Sequence, residues 1–160
     1  YDDNINIRVN MWLQLVSAIK HLHTHNIIHR DIKPSNIFIK NKILKLGDFG
    51  LSKTYNDENM CINQSIDIGC SYYRAPEIDS GNYNMTIDVY SAGIILLELL
   101  LNYGTMMEKD ILIKKMLKTG IMPEIDEKYK SLLLKMICPA SGRFTIFDVE
   151  EWIVINQEFH

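Results

Sequence analysis

The stretch IIHRDIKPSNIFI, residues 27–39, decides how this 160-residue chain is read. Two β-branched apolar runs, suited to a buried strand or its approach, enclose His29, Arg30, Asp31, Lys33 and Asn36. Charges set that close to a core are costly unless they are paired, bind a metal or serve chemistry. Pro34 keeps the segment from forming a plain helix, so Asp31, Lys33 and Asn36 can aim a carboxylate, an ammonium and an amide at one point.

Just downstream, NIFI and ILKLG read as two short strands separated by KNK, a hairpin. A second acid, Asp48, follows in DFG, where Gly50 is expected to give the backbone a conformation denied to other residues. The hairpin should carry both acids to one edge. Carboxylates and an amide oxygen are hard ligands that suit Mg2+, and Mg2+ held by few protein ligands usually shares its shell with phosphates.

Farther out, Val9, Trp12, Leu13, Val16, Ile19 and Leu22 recur at helical spacing, which predicts an amphipathic helix over 9–24. Residues 51–71 are polar and lack either periodicity, so they read as a long loop of the kind that carries function. Beyond Pro76 the pattern predicts helices over 86–101, 105–118 (stopped by Gly120) and 126–137 (ended by Pro139), and another from TIFD. Thr105 with Glu108, and Thr145 with Asp148, match capping boxes. The fold class is mainly α with a small β-hairpin, in one domain.

Composition narrows the partners. A formal charge of −3 with dispersed Lys and Arg gives no basic face for nucleic acid. The apolar run IDVYSAGIILLELLL is broken by Asp88, Ser91 and Glu98 and is shorter than the roughly 20 residues a membrane span needs. Three cysteines without a CxxC pattern give no disulfide framework, and the start has no basic, then apolar, leader; the chain reads as cytoplasmic, with the nucleus open to it. It begins without Met, like a piece of something longer. His21, His23 and His25 invite a metal reading, and His21 and His25 share a helix face, but the helix dipole favours imidazoles near a C-terminus in any case. The methionines, Met106 and Met107 among them, read as adaptable packing.

HRDIKPSN, DFG and APE, in that order, resemble the protein kinase signature set across the whole chain. The resemblance implies the C-terminal lobe of a kinase domain over 1–160, with its catalytic loop at 29–36, activation segment at 48–77 and helical subdomain at 86–160. It implies that Asp31 is the catalytic base and Lys33 stabilises the transferring phosphoryl group, while Asn36 and Asp48 hold Mg2+ beside ATP and Phe38 lies under the adenine. His29 and Phe49 then link the catalytic and metal loops, Asp88 holds the catalytic-loop backbone, and Glu77 pairs with Arg143. Lys33 after the acid resembles the serine/threonine kinases rather than the tyrosine kinases. Arg30 would grip a phosphate on the activation segment, for which Ser65 and Thr54 are the candidates.

SNIFI, KLGDFGLSK, YNMTIDVYSAGIILLELL and TMMEKDILIKKM further resemble the kinases of the alpha subunit of translation initiation factor two, which would make that subunit the protein substrate in a stress response and the TMMEKD helix its docking element. Two departures stand out. Cys70 occupies the position of a usual threonine, and a thiol donates weakly. No glycine-rich phosphate loop is present and the first lysine, Lys20, sits in a helix, so the N-terminal lobe is missing from these residues, and the resemblance leaves a kinase dimer through that missing lobe open as a partner. A truncated kinase-like binding module without catalysis is the alternative to an enzyme.

Overall fold

The computed structural model describes residues 2–54 and 71–156; Cys61, Ser65 and Cys70 lie outside the described residues. The chain runs α1 (Asp2–Thr24), β1 (Ile27–Ile28), β2 (Ile37–Lys40), β3 (Ile43–Leu46), β4 (Lys53–Thr54), α2 (Thr86–Leu100), α3 (Met106–Thr119), α4 (Glu127–Met136) and α5 (Ile146–Asn156), with short 3-10 turns between them. The mainly helical class with one small hairpin is what the periodicity implied.

α2 is the axis of the packing. Every residue from Thr86 to Leu97 is buried, which explains why its sequence is apolar all round. α1 lies against it, with Trp12 fully buried and its Nε1 donating to the carbonyl of Ala92 across 2.9 Å. Gly93 allows α4 to come close, because a Cβ there would stand 2.9 Å from that of Met136. α1 begins well before residue 9, since Ile5 packs on the core and Arg8 donates to the carbonyl of Leu99 across 2.8 Å.

The hairpin turns on Asn41 and Lys42, both left-handed at φ 54° and 64°, so a two-residue turn replaces the three-residue KNK separation. Paired left-handed residues match the twist of the flanking strands. Gln14 of α1 clamps the hairpin: its side chain donates to the carbonyl of Lys42 (3.1 Å) and accepts from the amide of Leu44 (2.9 Å). β1 pairs antiparallel with β4, Ile27 opposite Thr54, a ladder that no periodicity announced. The two capping boxes differ. At α5 both arms close, Thr145 N to Asp148 Oδ2 (2.7 Å) and Asp148 N to Thr145 Oγ1 (3.2 Å). At α3 the Thr105 hydroxyl accepts from Glu108 N, but the Glu108 carboxylate takes the amide of Gly104, one residue earlier.

Candidate active site

β1 delivers the chain into the loop at 29–36, and the hairpin brings it back beside that loop at Gly47. Nε2 of His29 bonds to the carbonyl oxygen of Gly47 (3.0 Å), and the amide of Gly47 donates to the carbonyl of Asn36 (2.9 Å). Asp48 follows immediately in the chain, next to the residue that His29 and Asn36 hold. Phe38 seats its ring over Gly47, where a Cβ would come within 2.7 Å of Cε2.

Within the loop, Asp31 Oδ2 is the convergence point. The side-chain amide nitrogen of Asn36 donates to it and to the Asp31 carbonyl, both at 2.8 Å, and Lys33 Nζ lies 3.1 Å away. Asp31 Oδ1 takes part in none of these contacts. Because the Asn36 nitrogen is committed to Asp31, its oxygen is the atom free to act as a ligand.

Asp48 stands exposed at φ 59°, its carboxylate accepting from Gly50 N at 3.3 Å. The left-handed residue here is Asp48; Gly50 does not adopt positive φ, which corrects the sequence expectation. Asx side chains that bond their own backbone two residues on tolerate this conformation. Gly50 matters for space instead, since a Cβ would lie 3.3 Å from Asp48 Oδ1. His29 and Phe49 make a tilted ring contact with centroids 5.0 Å apart, but only His29 is buried; Phe49 is 48% exposed and Phe38 58%. Phe49 is therefore less packed than its linking role suggested.

The backbone of the loop is fixed from beneath. Asp88, fully buried in the first turn of α2, accepts from the amides of His29 and Arg30, each at 2.9 Å, and from Nε2 of His23 at 2.9 Å. This grip coincides with strain, because Arg30 is left-handed at φ 71°. Non-glycine residues persist there only when their surroundings hold them. Arg30 directs its guanidinium to the carbonyl of Leu51 and the hydroxyl of Tyr83. His23 was missed as a site residue: nothing in the helical pattern separates it from His21 and His25 except its inward face.

The segment 71–77 is anchored on the helical side. The hydroxyl of Tyr73 and Nζ of Lys109 share the Glu98 carboxylate, Lys109 at 2.7 Å, and Tyr72 bonds to Asp110 at 2.8 Å. Burial and the Glu98 carboxylate push the Tyr73 hydroxyl far above its usual range. Burial, the largest single effect, opposes the Lys109 charge, but the hydrogen bond to Glu98 together with the charge of Glu98 and of the nearby Tyr72 and Tyr103 raises it. Glu77 receives the Arg143 guanidinium as a buried fork, with Nη2 to Oε2 at 3.1 Å. Arg143 also donates to the carbonyls of Cys138 and Thr86 and covers the ring of Tyr90, whose hydroxyl burial pushes up to about 12.

The oxygen of Asn36 and the carboxylate of Asp48 are hard donors that fit Mg2+ shared with phosphate oxygens. Among the described residues no three His, Cys, Asp or Glu side chains gather to cage a metal by themselves, and no helix is long and apolar enough to cross a membrane. Thr54 is exposed at the end of β4.

Residues 4–151 match the protein kinase domain family. The chain is 44% identical over 90 residues to a Caenorhabditis elegans protein named serine/threonine kinase NLK, covering 54% of this chain and 14% of the relative. It is 32% identical over 133 residues to eukaryotic translation initiation factor 2-alpha kinase 3 of Bos taurus, covering 76% of this chain and 12% of the relative. A probable serine/threonine-protein kinase of Dictyostelium discoideum is 39% identical over 123 residues, 63% of this chain and 26% of its own length. The chain thus spans only a small part of the relatives it matches.

Proposed function

The chain belongs to the protein kinase family, and from that premise we propose that it forms the catalytic C-terminal lobe of a kinase that transfers phosphate from ATP to Ser or Thr of a protein. The observation that carries this reading is the convergence of Lys33 and Asn36 on Oδ2 of Asp31, in which Oδ1 takes no part. In the step proposed, the substrate hydroxyl oxygen attacks the γ-phosphorus of ATP, the bond to the bridging oxygen of ADP breaks, and the hydroxyl proton passes to Oδ1 of Asp31. Lys33 places positive charge beside the transferring group, and Phe38 offers its exposed ring to the adenine. Asn36 and Asp48 would hold Mg2+, whose charge offsets that of the phosphates when bound. Positioning supplies most of the catalysis in this reaction, so the hold of Asp88 on the loop belongs to the machinery.

The substrate we infer is the alpha subunit of translation initiation factor two. Supporting it are the similarity to the bovine initiation factor kinase and the first turn of α3, where Met106 is 63% and Met107 75% exposed. Phosphorylation at Ser65 or Thr54 is proposed to raise activity through Arg30, whose guanidinium already lies against Leu51 and Tyr83.

A second reading stays beside the first, because the groups that would grip the phosphates are not among these 160 residues: Lys20 lies in α1 and pairs with Glu150. On that reading the chain is a kinase-like binding module. The coding sequence upstream of Tyr1 separates the two: a glycine-rich loop and a strand lysine there favour the enzyme, and their absence favours the module.

A further inference from the structure

We propose that His21 and His25, at the C-terminal end of α1, form a two-imidazole site for a borderline divalent transition-metal ion such as Zn2+. The two residues are four apart, one helical turn, so their side chains rise from one face of the helix. Their ring centroids stand 4.5 Å apart with the planes inclined by 50°. Imidazole nitrogens sit about 2.0–2.1 Å from zinc, which puts two of them roughly 3.3 Å apart on a tetrahedral ion. The rings are thus near enough for one ion to lie between a nitrogen of each.

The hydrogen bonding sets which nitrogen is offered. Nδ1 of His25 lies 2.8 Å from the carbonyl oxygen of His21. A carbonyl only accepts, so Nδ1 carries the hydrogen and the lone pair of the ring is on Nε2. Metal-bound histidines typically donate their other ring N–H to a carbonyl or carboxylate in this way, which fixes the tautomer and aims the ligand. The sequence could show that the two histidines share a face; it could not show this orientation.

The remaining histidines of the described residues are committed elsewhere: His23 is buried against Asp88, and His29 is buried against Gly47. His21 and His25 are exposed, so an ion there keeps water in its other positions and needs no buried counter-charge. The donors differ from those of Asn36 and Asp48, whose oxygens suit a harder cation. Asn26, left-handed at φ 57°, and β1 follow directly, so a bound ion would pin the last turn of α1 ahead of the catalytic loop.

The test is titration of the purified, metal-free 160-residue chain with ZnCl2, followed by calorimetry, by thermal unfolding and by the imidazole proton resonances. The expected result is one ion held by His21 and His25, whose resonances shift, with a rise in Tm because the unfolded chain does not present the pair. His21→Ala and His25→Ala should each weaken this binding by at least the roughly 10- to 100-fold that loss of an outer-shell partner costs in metal sites. Both positions are exposed, so the variants should keep the parent circular dichroism, and His160→Ala should bind like the parent. Absence of binding overturns the proposal. So does binding that persists undiminished in both alanine variants, since the ion would then sit on cysteines or on His160.

Discussion

Nε2 of His23 lies 2.9 Å from Oδ2 of Asp88, and the same carboxylate accepts the amides of His29 and Arg30. One buried acid therefore ties α1, α2 and the loop that carries Asp31. Removing the imidazole donor leaves a buried carboxylate short of a partner and free to turn away from the strained Arg30. His23→Phe should cost about 1.5–3 kcal/mol of stability, the range for a hydrogen bond to a charged group. Hydrogen exchange should accelerate at the amides of His29 and Arg30 beyond what the global loss explains. His23→Gln, which keeps a donor, should restore part of that protection. If the two amides exchange no faster than the rest of the core in His23→Phe, the imidazole does not position the loop.

The 160-residue chain on its own should transfer no measurable phosphate. Its sequence holds no glycine-rich loop, and Lys20 is engaged with Glu150 in α1. Weak nucleotide binding dependent on Mg2+, and lost in Asp48→Asn, is the most it should show. Transfer by the isolated chain that Asp31→Asn abolishes would contradict this.

The first turn of α3 should contact a folded substrate. Met106 and Met107 are exposed while Ile113 and Met116 of the same helix are buried, so the turn can be altered without touching the core. Met106→Asp with Met107→Asp should weaken direct binding of the alpha subunit of translation initiation factor two by roughly tenfold, equivalent to about 1.4 kcal/mol, and leave Tm nearly unchanged. Unaltered binding would remove the docking role and leave the methionines as surface.

Alkaline pH should destabilise the fold through groups that hold their protons more tightly when folded. Tyr90 is raised to about 12 by burial. Tyr73 is raised by burial and Glu98, and Lys109 is raised by Glu98 against the opposing effect of burial. For a group raised in the folded state, the stabilisation is whole below its unfolded pKa and is lost as pH climbs through the folded value. The window opens near pH 10, the ordinary tyrosine value, and for Tyr90 closes near 12, with a slope of about 1.4 kcal/mol per pH unit per group. Urea unfolding across this range should show the decline, and Tyr90→Phe should flatten it between about pH 10 and 12. An equally steep decline in that variant would assign the effect to other groups.

The parts of the fold legible in the sequence were those written locally. The strands NIFI and ILKLG are short apolar runs on either side of a polar turn, and the helices from α2 onward carry their own patterns and stops, such as Gly120 at φ 69°. Asp31, Lys33 and Asn36 meet because the loop between them is short. What escaped depends on residues far apart. The pairing of Ile27 with Thr54 rests on strands of two residues, too short for any period to register. His23 gains its place only through Asp88, 65 residues away. The sequence points to Gly50 for the left-handed turn in DFG because glycine tolerates it most readily, whereas Asp48 adopts it and its side chain bonds the Gly50 amide in compensation.

The most direct test of the account is phosphate transfer from ATP to Ser and Thr of a protein substrate by the natural polypeptide that carries this chain, compared with its Asp31→Asn variant. Asparagine keeps the shape of the side chain and its contacts with Lys33 and Asn36 within reach, but it cannot take the hydroxyl proton at Oδ1. The account predicts transfer to Ser or Thr that falls by roughly 10²- to 10⁴-fold in the variant, the usual contribution of a positioned base. Transfer at the parent rate in Asp31→Asn, or no transfer from a folded protein that includes a glycine-rich loop and a strand lysine, would contradict it.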